Sequence, residues 1–187
     1  MAADSVRMSG EVLAEGSTVV IDMQYSGDDS SGTITADGAT FEVQRVDMEH
    51  YMKADADTWE QSTGEAAAGE LLGDRYVRIP ADDESFGEST SFFDFESFIE
   101  EALAPDGRVE KGETADVNGV QAIGLVDQGS EDYGTLWVAL TGEPYPLRIE
   151  SPEGSGEGAV DFLDWGVAVD IQAPPEDEVV DLSELTE

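Results

Sequence analysis

The chain has 187 residues, no cysteine, and 44 acidic side chains against eight lysines and arginines, which gives a formal net charge of -36. This charge excludes nucleic acid as a partner, because phosphate contacts need clustered basic side chains. The absence of cysteine excludes disulfides and thiolate metal sites, and no run of 18 apolar residues predicts a membrane-spanning helix.

The extreme acidity has three interpretations. It can be a solvated surface suited to high salt, an aid to solubility, or a surface that attracts cations or a basic partner. The chain has only two lysines, Lys53 and Lys111. This scarcity of lysine favours the high-salt interpretation.

Alternation of apolar and polar residues predicts five strands near the start of the chain. They cover residues 6–12, 19–25, 33–36, 40–46 and 49–54. Asp37-Gly38 predicts a tight hairpin, because both residues tolerate positive φ. Residues 27–31 are predicted to form a polar loop.

The hydrophobic period changes over residues 55–73, which predicts one or two short helices interrupted at Gly64 and ended by Gly73. A strand over 75–79 follows, and Pro80 ends it. Residues 90–104 then predict one strongly amphipathic helix with Ser91 as its N-cap and Asp94 three residues later. Its apolar stripe must pack against the sheet, and contains Phe92, Phe95, Phe98, Ile99, Ala102 and Leu103.

The second half of the chain predicts six further strands, for about twelve in total. They cover residues 109–117, 120–127, 133–141, 145–151, 159–164 and 167–173. Asn118-Gly119 predicts a second tight hairpin. We expect one domain over 1–187, with 176–187 an acidic tail in which Val179, Val180, Leu182 and Leu185 are possible docking points.

The strand over 135–140 is apolar on both faces, with Leu136 and Val138 on one and Trp137 and Ala139 on the other. A half-solvated strand is apolar on one face only. The second face therefore packs on helices or a curled part of the sheet, or it lines a ligand cavity.

Recognisable catalytic chemistry is absent from the sequence. The single histidine, His50, occupies a polar strand position, and no nucleophile elbow or phosphate-binding loop occurs. The acidic runs at 28–32 and 127–132 do not match the spacing of a calcium loop. We therefore expect a non-enzyme with no cofactor and no specific metal site.

The order of strand and turn motifs is similar to that of actinobacterial cell-envelope lipoproteins of the LppX/LprG type, whose fold resembles the lipoprotein carrier LolA. The resemblance covers nearly the whole chain, including SVRMSG at 5–10, GTITADG at 32–38, YMKA at 51–54 with Trp59 after it, RYVRIP at 75–80, VNGV at 117–120, TLWV at 135–138, GEPYPLRI at 142–149, FLDW at 162–165 and IQAPP at 171–175.

This resemblance implies an α+β fold in which helices cover the concave face of a large curved antiparallel sheet, a half-barrel of about 10–12 strands. It also implies an exported protein, anchored through a lipidated N-terminal cysteine that this chain lacks, which binds or carries a lipid or glycolipid in a hydrophobic cavity. We expect a monomer that meets the membrane only through such an anchor. The alternative is a sensor or protein-interaction module of the cell envelope with a filled core.

Large apolar residues of the predicted helices and strands are the candidates for lining a cavity between sheet and helices. They are Trp59, Leu71, Phe92, Phe95, Phe98, Ile99, Leu103 and Trp137. Ordinary core packing is the alternative role for each of them.

Overall fold

The computed structural model describes residues 3–14, 17–79, 92–102, 107–128, 134–150 and 158–181. These contain three α-helices: α1 (Ala56–Thr63), α2 (Ala66–Leu72) and α3 (Phe95–Ala102). They also contain twelve strands: β1 (Ser5–Ala14), β2 (Ser17–Ser26), β3 (Asp29–Ala36), β4 (Ala39–Val46), β5 (Glu49–Lys53), β6 (Tyr76–Ile79), β7 (Val109–Val117), β8 (Val120–Asp127), β9 (Thr135–Ala139), β10 (Pro146–Glu150), β11 (Ala159–Leu163) and β12 (Val179–Asp181).

All twelve strands form one open sheet in the order β12-β6-β5-β4-β3-β2-β1-β11-β10-β9-β8-β7. Every neighbouring pair is antiparallel except β12 with β6. The predicted α+β half-barrel is therefore confirmed. No helix in the described ranges is long and apolar enough to cross a membrane.

Two tight turns confirm the hairpins predicted from local sequence. Asp37 and Gly38 have φ of 52° and 83°, and Asn118 and Gly119 have φ of 53° and 83°. These positive values match the twist of the flanking strands. The predicted loop at 27–31 is wrong in part, because β3 begins at Asp29.

The strand predicted over 167–173 is also wrong. These residues form no strand, and Val167 is 59% exposed. After β11 the chain turns at Asp164 and Gly166, both with positive φ, and Gly166 N donates to the carbonyl of Ser5. Both edges of β11 are already paired, with β1 and with β10, so residues 167–173 have no free edge of β11 to pair with. The twelfth strand comes from the predicted tail, where Val180 is buried against β6.

The inner face of the sheet, defined as the face that the helices cover, carries the main core. Directly paired residues of neighbouring strands point to the same face. One such series, which we name the apolar row, crosses eight strands without a polar side chain. It contains Phe41, Ile34, Ile21, Gly10, Val160, Ile149, Leu136 and Leu125.

The first two helices match the prediction and lie on the inner face. Asp55 caps α1, since its carboxylate accepts the N–H of Thr58 at 2.7 Å, and Gly64 ends the helix with φ of 75°. The indole of Trp59 meets the ring of Phe41 edge-on, with centroids 5.8 Å apart. This contact fixes α1 over β4.

The third helix begins later than predicted, at Phe95. Asp94 is its N-cap, because its carboxylate accepts the N–H of Ser97 at 2.9 Å. Phe92 and Phe93 form a separate short turn before the helix. The predicted cap at Ser91 lies outside the described residues, as does the predicted end at 103–104.

Candidate functional site

The inner face continues past the packed core into β8, β9 and β10. Five apolar side chains there are only half-buried. Three of them, Leu125, Leu136 and Ile149, belong to the apolar row, and Ile149 also packs against the main core. Ile123 and Val138 pair beside them. An apolar surface of this kind is suited to binding an apolar partner.

The opposite, outer face explains why β9 is apolar on both sides. Trp137 and Ala139 pack on a small cluster with Val117, Ala122 and Leu147. The indole of Trp137 also donates to the carboxylate of Glu150 at 2.9 Å. The second apolar face of β9 is thus a satellite core, separate from the helices.

A row of polar residues on the inner face holds the segment before α3. Tyr25, Ser30, Arg45 and His50 are directly paired across β2 to β5, and we name them the polar row. The hydroxyls of Tyr25 and Ser30 donate to the carbonyls of Phe92 and Phe93, at 2.7 and 2.8 Å respectively. Arg45 donates to Asp94 at 2.8 Å. Three consecutive residues are thereby bound to the sheet.

Aromatic packing continues from this segment into α3. Phe93 is 1% exposed, and its ring lies 4.8 Å from that of His50. Phe95 packs on Tyr25 at 5.0 Å and on Phe162 at 6.0 Å, and so spans β2 and β11. The start of α3 therefore covers the middle of the sheet.

The electrostatics of the polar row follow from its burial. Burial, and then the nearby Asp94, raise the pKa of Tyr25 far above its ordinary value. Burial, and then the charge of Arg45, lower the pKa of His50. The hydrogen bond from the backbone of Ser97, opposed by desolvation and aided by Arg45, lowers the pKa of Asp94. At neutral pH the row therefore has neutral Tyr25 and His50 beside an ion pair.

A cavity of about 220 Å³ lies beside the polar row. Tyr25, Arg45, Phe93 and Phe95 line it from the sheet and α3, and Trp165 lines another wall. Pockets for drug-sized ligands measure roughly 300–1,000 Å³. This cavity is smaller than that range.

The structure brings together five of the eight predicted lining residues. They lie between the helices and the inner face, either buried in the core or packed against it: Trp59, Phe92, Phe95, Phe98 and Ile99. Leu71 is 46% exposed on α2, Trp137 is on the outer face, and Leu103 lies outside the described residues. Their role in ligand binding stays a prediction.

Sequence reasoning missed Phe93 and the polar row. Phe93 falls outside the helical stripe, because it precedes the true start of α3. Ser30 lies in the segment predicted to be a polar loop, and Arg45 and His50 are polar positions of predicted strands, which normally indicate a solvent face. An available signal was that Ser30 and Arg45 lie an even number of residues from the apolar Ile34 and Val43, and so share their face.

Comparison with solved structures finds similar folds in two mycobacterial proteins. The lipoprotein LppX of Mycobacterium tuberculosis is 12% identical, with a TM-score of 0.57 and 91% of each chain covered. LprF of Mycobacterium bovis is 13% identical, with a TM-score of 0.58 and 92% of this chain and 90% of that chain covered. No protein-family model and no curated protein sequence matches the chain. The likeness shows the LppX-like fold expected from the sequence motifs.

Proposed function

We propose that this chain is an extracytoplasmic lipoprotein domain that binds a lipid or other hydrophobic ligand between the inner face and the helices. The observation that carries this proposal is the half-buried apolar surface of β8 to β10, which continues the apolar row beyond the packed core. The fold shared with the lipoprotein LppX supports a place in the cell envelope.

Binding on this surface needs no chemical step. Each methylene removed from water contributes about 0.8 kcal/mol, so one long acyl chain supplies several kcal/mol after the costs of association. We therefore propose a binding or carrier protein and not an enzyme. It acts as a monomeric single domain and meets the membrane only through a lipid anchor.

The net charge restricts the class of ligand. With a formal charge of -36, the chain repels an anionic headgroup unless salt screens the interaction. A neutral lipid or glycolipid meets no such repulsion. We therefore propose a ligand whose polar end is uncharged.

Native mass spectrometry of the purified protein, followed by solvent extraction, tests the proposal directly. We expect an adduct of lipid mass, either as purified or after incubation with a neutral lipid mixture. A mass that stays that of the protein alone after incubation would contradict lipid binding.

A pair of variants locates the binding surface. Leu136→Asn introduces a polar group on the inner face, and we expect it to weaken binding of the neutral dye Nile red by roughly tenfold or more. Val20→Asn makes the same kind of change at an outer-face residue that is 45% exposed, and should leave binding unchanged. Equal effects of the two variants would argue against this site.

The alternative is a sensor or protein-interaction module with a filled core. It is favoured by the dense packing of Trp59, Phe93 and Ile99 between helices and sheet, each at most 7% exposed. On this alternative Leu136 belongs to a docking surface for a protein, and no lipid is recovered in the extraction.

A further inference from the structure

The three tryptophans differ in how their indole N–H groups are satisfied. Trp137 donates to Glu150 at 2.9 Å, and Trp165 donates to the carbonyl of Pro146 at 3.0 Å. Trp59 is 5% exposed, and its buried Nε1 has no acceptor among the described residues. A buried indole N–H usually has a partner, and leaving it unmet costs folding free energy.

The indole N–H of Trp59 lies at one end of the apolar row. Trp59 packs edge-on against Phe41, the residue of the row on β4, and the row continues through Ile34 and Ile21 to Leu125 on β8. No side chain in the row carries a polar atom. Neighbouring strands are about 4.8 Å apart, so the row spans about 34 Å.

We propose that Trp59 Nε1 recognises one uncharged acceptor oxygen of the hydrophobic ligand, an ester or similar carbonyl at one end of a long apolar chain. This inference rests on the proposed function and names the ligand's polar feature. A pure hydrocarbon would leave the donor unmet. A carboxylate would bring a charge into an apolar site of an acidic protein, which is costly.

The proposed contact predicts that an ester binds more tightly than an ether, because a carbonyl oxygen is a much better hydrogen-bond acceptor than an ether oxygen.

The indole nitrogen of Trp59 is covered in this structure, so the ligand reaches it only when neighbouring side chains move. Half-buried Phe41 is the aromatic neighbour of Trp59. If the indole N–H were satisfied by the π-face of Phe41, no ligand acceptor would be needed.

Two neutral probes of equal length test the inference. Methyl hexadecanoate carries the ester carbonyl, and 1-methoxyhexadecane replaces it with an ether. We measure the displacement of Nile red by each probe from the unmodified chain, from Trp59→Phe, and from the outer-face control Trp137→Phe. The indole ¹H–¹⁵N resonance of Trp59, assigned through Trp59→Phe, is followed in parallel.

We expect the unmodified chain and Trp137→Phe to bind the ester roughly two- to tenfold more tightly than the ether. Trp59→Phe should bind both probes equally, through a loss of affinity for the ester. The Trp59 resonance should move downfield with the ester and little with the ether.

Equal binding of the two probes by the unmodified chain would overturn the inference and leave the proposed function standing. So would an ester preference that persists in Trp59→Phe, or a Trp59 resonance that does not move with the ester. If Nile red and both probes fail to bind, the proposed function itself is wrong and the inference falls with it.

Discussion

Phe93 shows at the level of one residue how the inner face is filled. Its ring is 1% exposed and lies against His50, and its carbonyl accepts the hydroxyl of the fully buried Ser30. The side chain and the backbone of one residue are therefore both bound to the sheet. Such a site cannot lose the ring without leaving a void.

We expect Phe93→Ala to lower the free energy of unfolding by about 3–5 kcal/mol, from the lost burial and the cavity that remains. Phe93→Leu should cost clearly less, because it keeps most of the apolar volume. Urea unfolding followed by circular dichroism measures both. A loss below about 1 kcal/mol for the alanine variant would show that Phe93 is not packed as described.

The lowered pKa of His50 predicts that the stability of the fold depends on pH. Because its pKa is lowered in the folded state, the unfolded chain takes up the proton first as the pH falls below about 6.5. His50 therefore lowers the free energy of unfolding at acidic pH. The lowered pKa of Asp94 acts only further down, where its carboxylate becomes protonated.

The variant His50→Gln isolates this effect from the titration of the many surface acids. We expect the unmodified chain to lose stability relative to His50→Gln between pH 7.5 and pH 5.5, measured by urea unfolding at both values. A stability difference that is the same at the two pH values would show that protonation of His50 does not destabilise the folded state.

At the scale of elements, α3 depends on Asp94, which makes two interactions. Asp94 caps the helix through Ser97 and pairs with Arg45 of the sheet. Arg45 is largely buried, with 11% of its side chain exposed, whereas in the outer pair of Arg7 and Asp22 the arginine side chain is 38% exposed. Buried charges depend far more on their partners than exposed ones.

The variant Asp94→Asn separates the cap from the ion pair, because asparagine is also a good N-cap. We expect it to cost about 2 kcal/mol and to speed amide exchange in α3, measured by hydrogen exchange with mass spectrometry. The matched variant Asp22→Asn should cost less than about 1 kcal/mol. Similar costs for the two would mean that the polar row does not hold α3.

The elements that could be predicted are those fixed by local chemistry. Asp37-Gly38 and Asn118-Gly119 predict their hairpins, because few residues adopt positive φ so readily. The turn at Asp47 and Met48, with φ of 51° and 71°, has no glycine and gave no such signal.

The candidate site was predictable only in part, because it depends on register between strands. The sequence correctly indicates that Phe95, Phe98 and Ile99 meet the core. It does not show that Trp137 is on the outer face or that Ser30 points inward. A shift of one residue reverses the face of every side chain in a strand, and the pairing that sets this shift is made by other segments.

At the scale of the whole molecule, charge acts on stability through self-repulsion. The net charge of -36 is screened over about 3 Å in 1 M salt, against about 30 Å at 0.01 M. We expect the free energy of unfolding to rise by at least about 1 kcal/mol between these salt concentrations, which corresponds to roughly 2–4 °C in Tm. Thermal unfolding in sodium chloride measures this.

Potassium chloride provides the control for that measurement. If screening is the cause, the two salts should act equally at equal ionic strength. A much larger effect of one cation would instead point to specific ion binding, and no effect of either salt would contradict self-repulsion.

The pairing of β1 with β11 has a consequence for how the chain is made. Residues of β1 pair with partners about 150 positions later, so the sheet becomes continuous only when most of the chain is available. During synthesis β1 to β5 can assemble first, because each of β2 to β5 pairs with the strand before it. The other edge of β1 stays unpaired during this time. An unpaired strand edge invites association with other chains, and pairing between distant residues is slow. The protein is therefore most prone to aggregate before β11 has been synthesised.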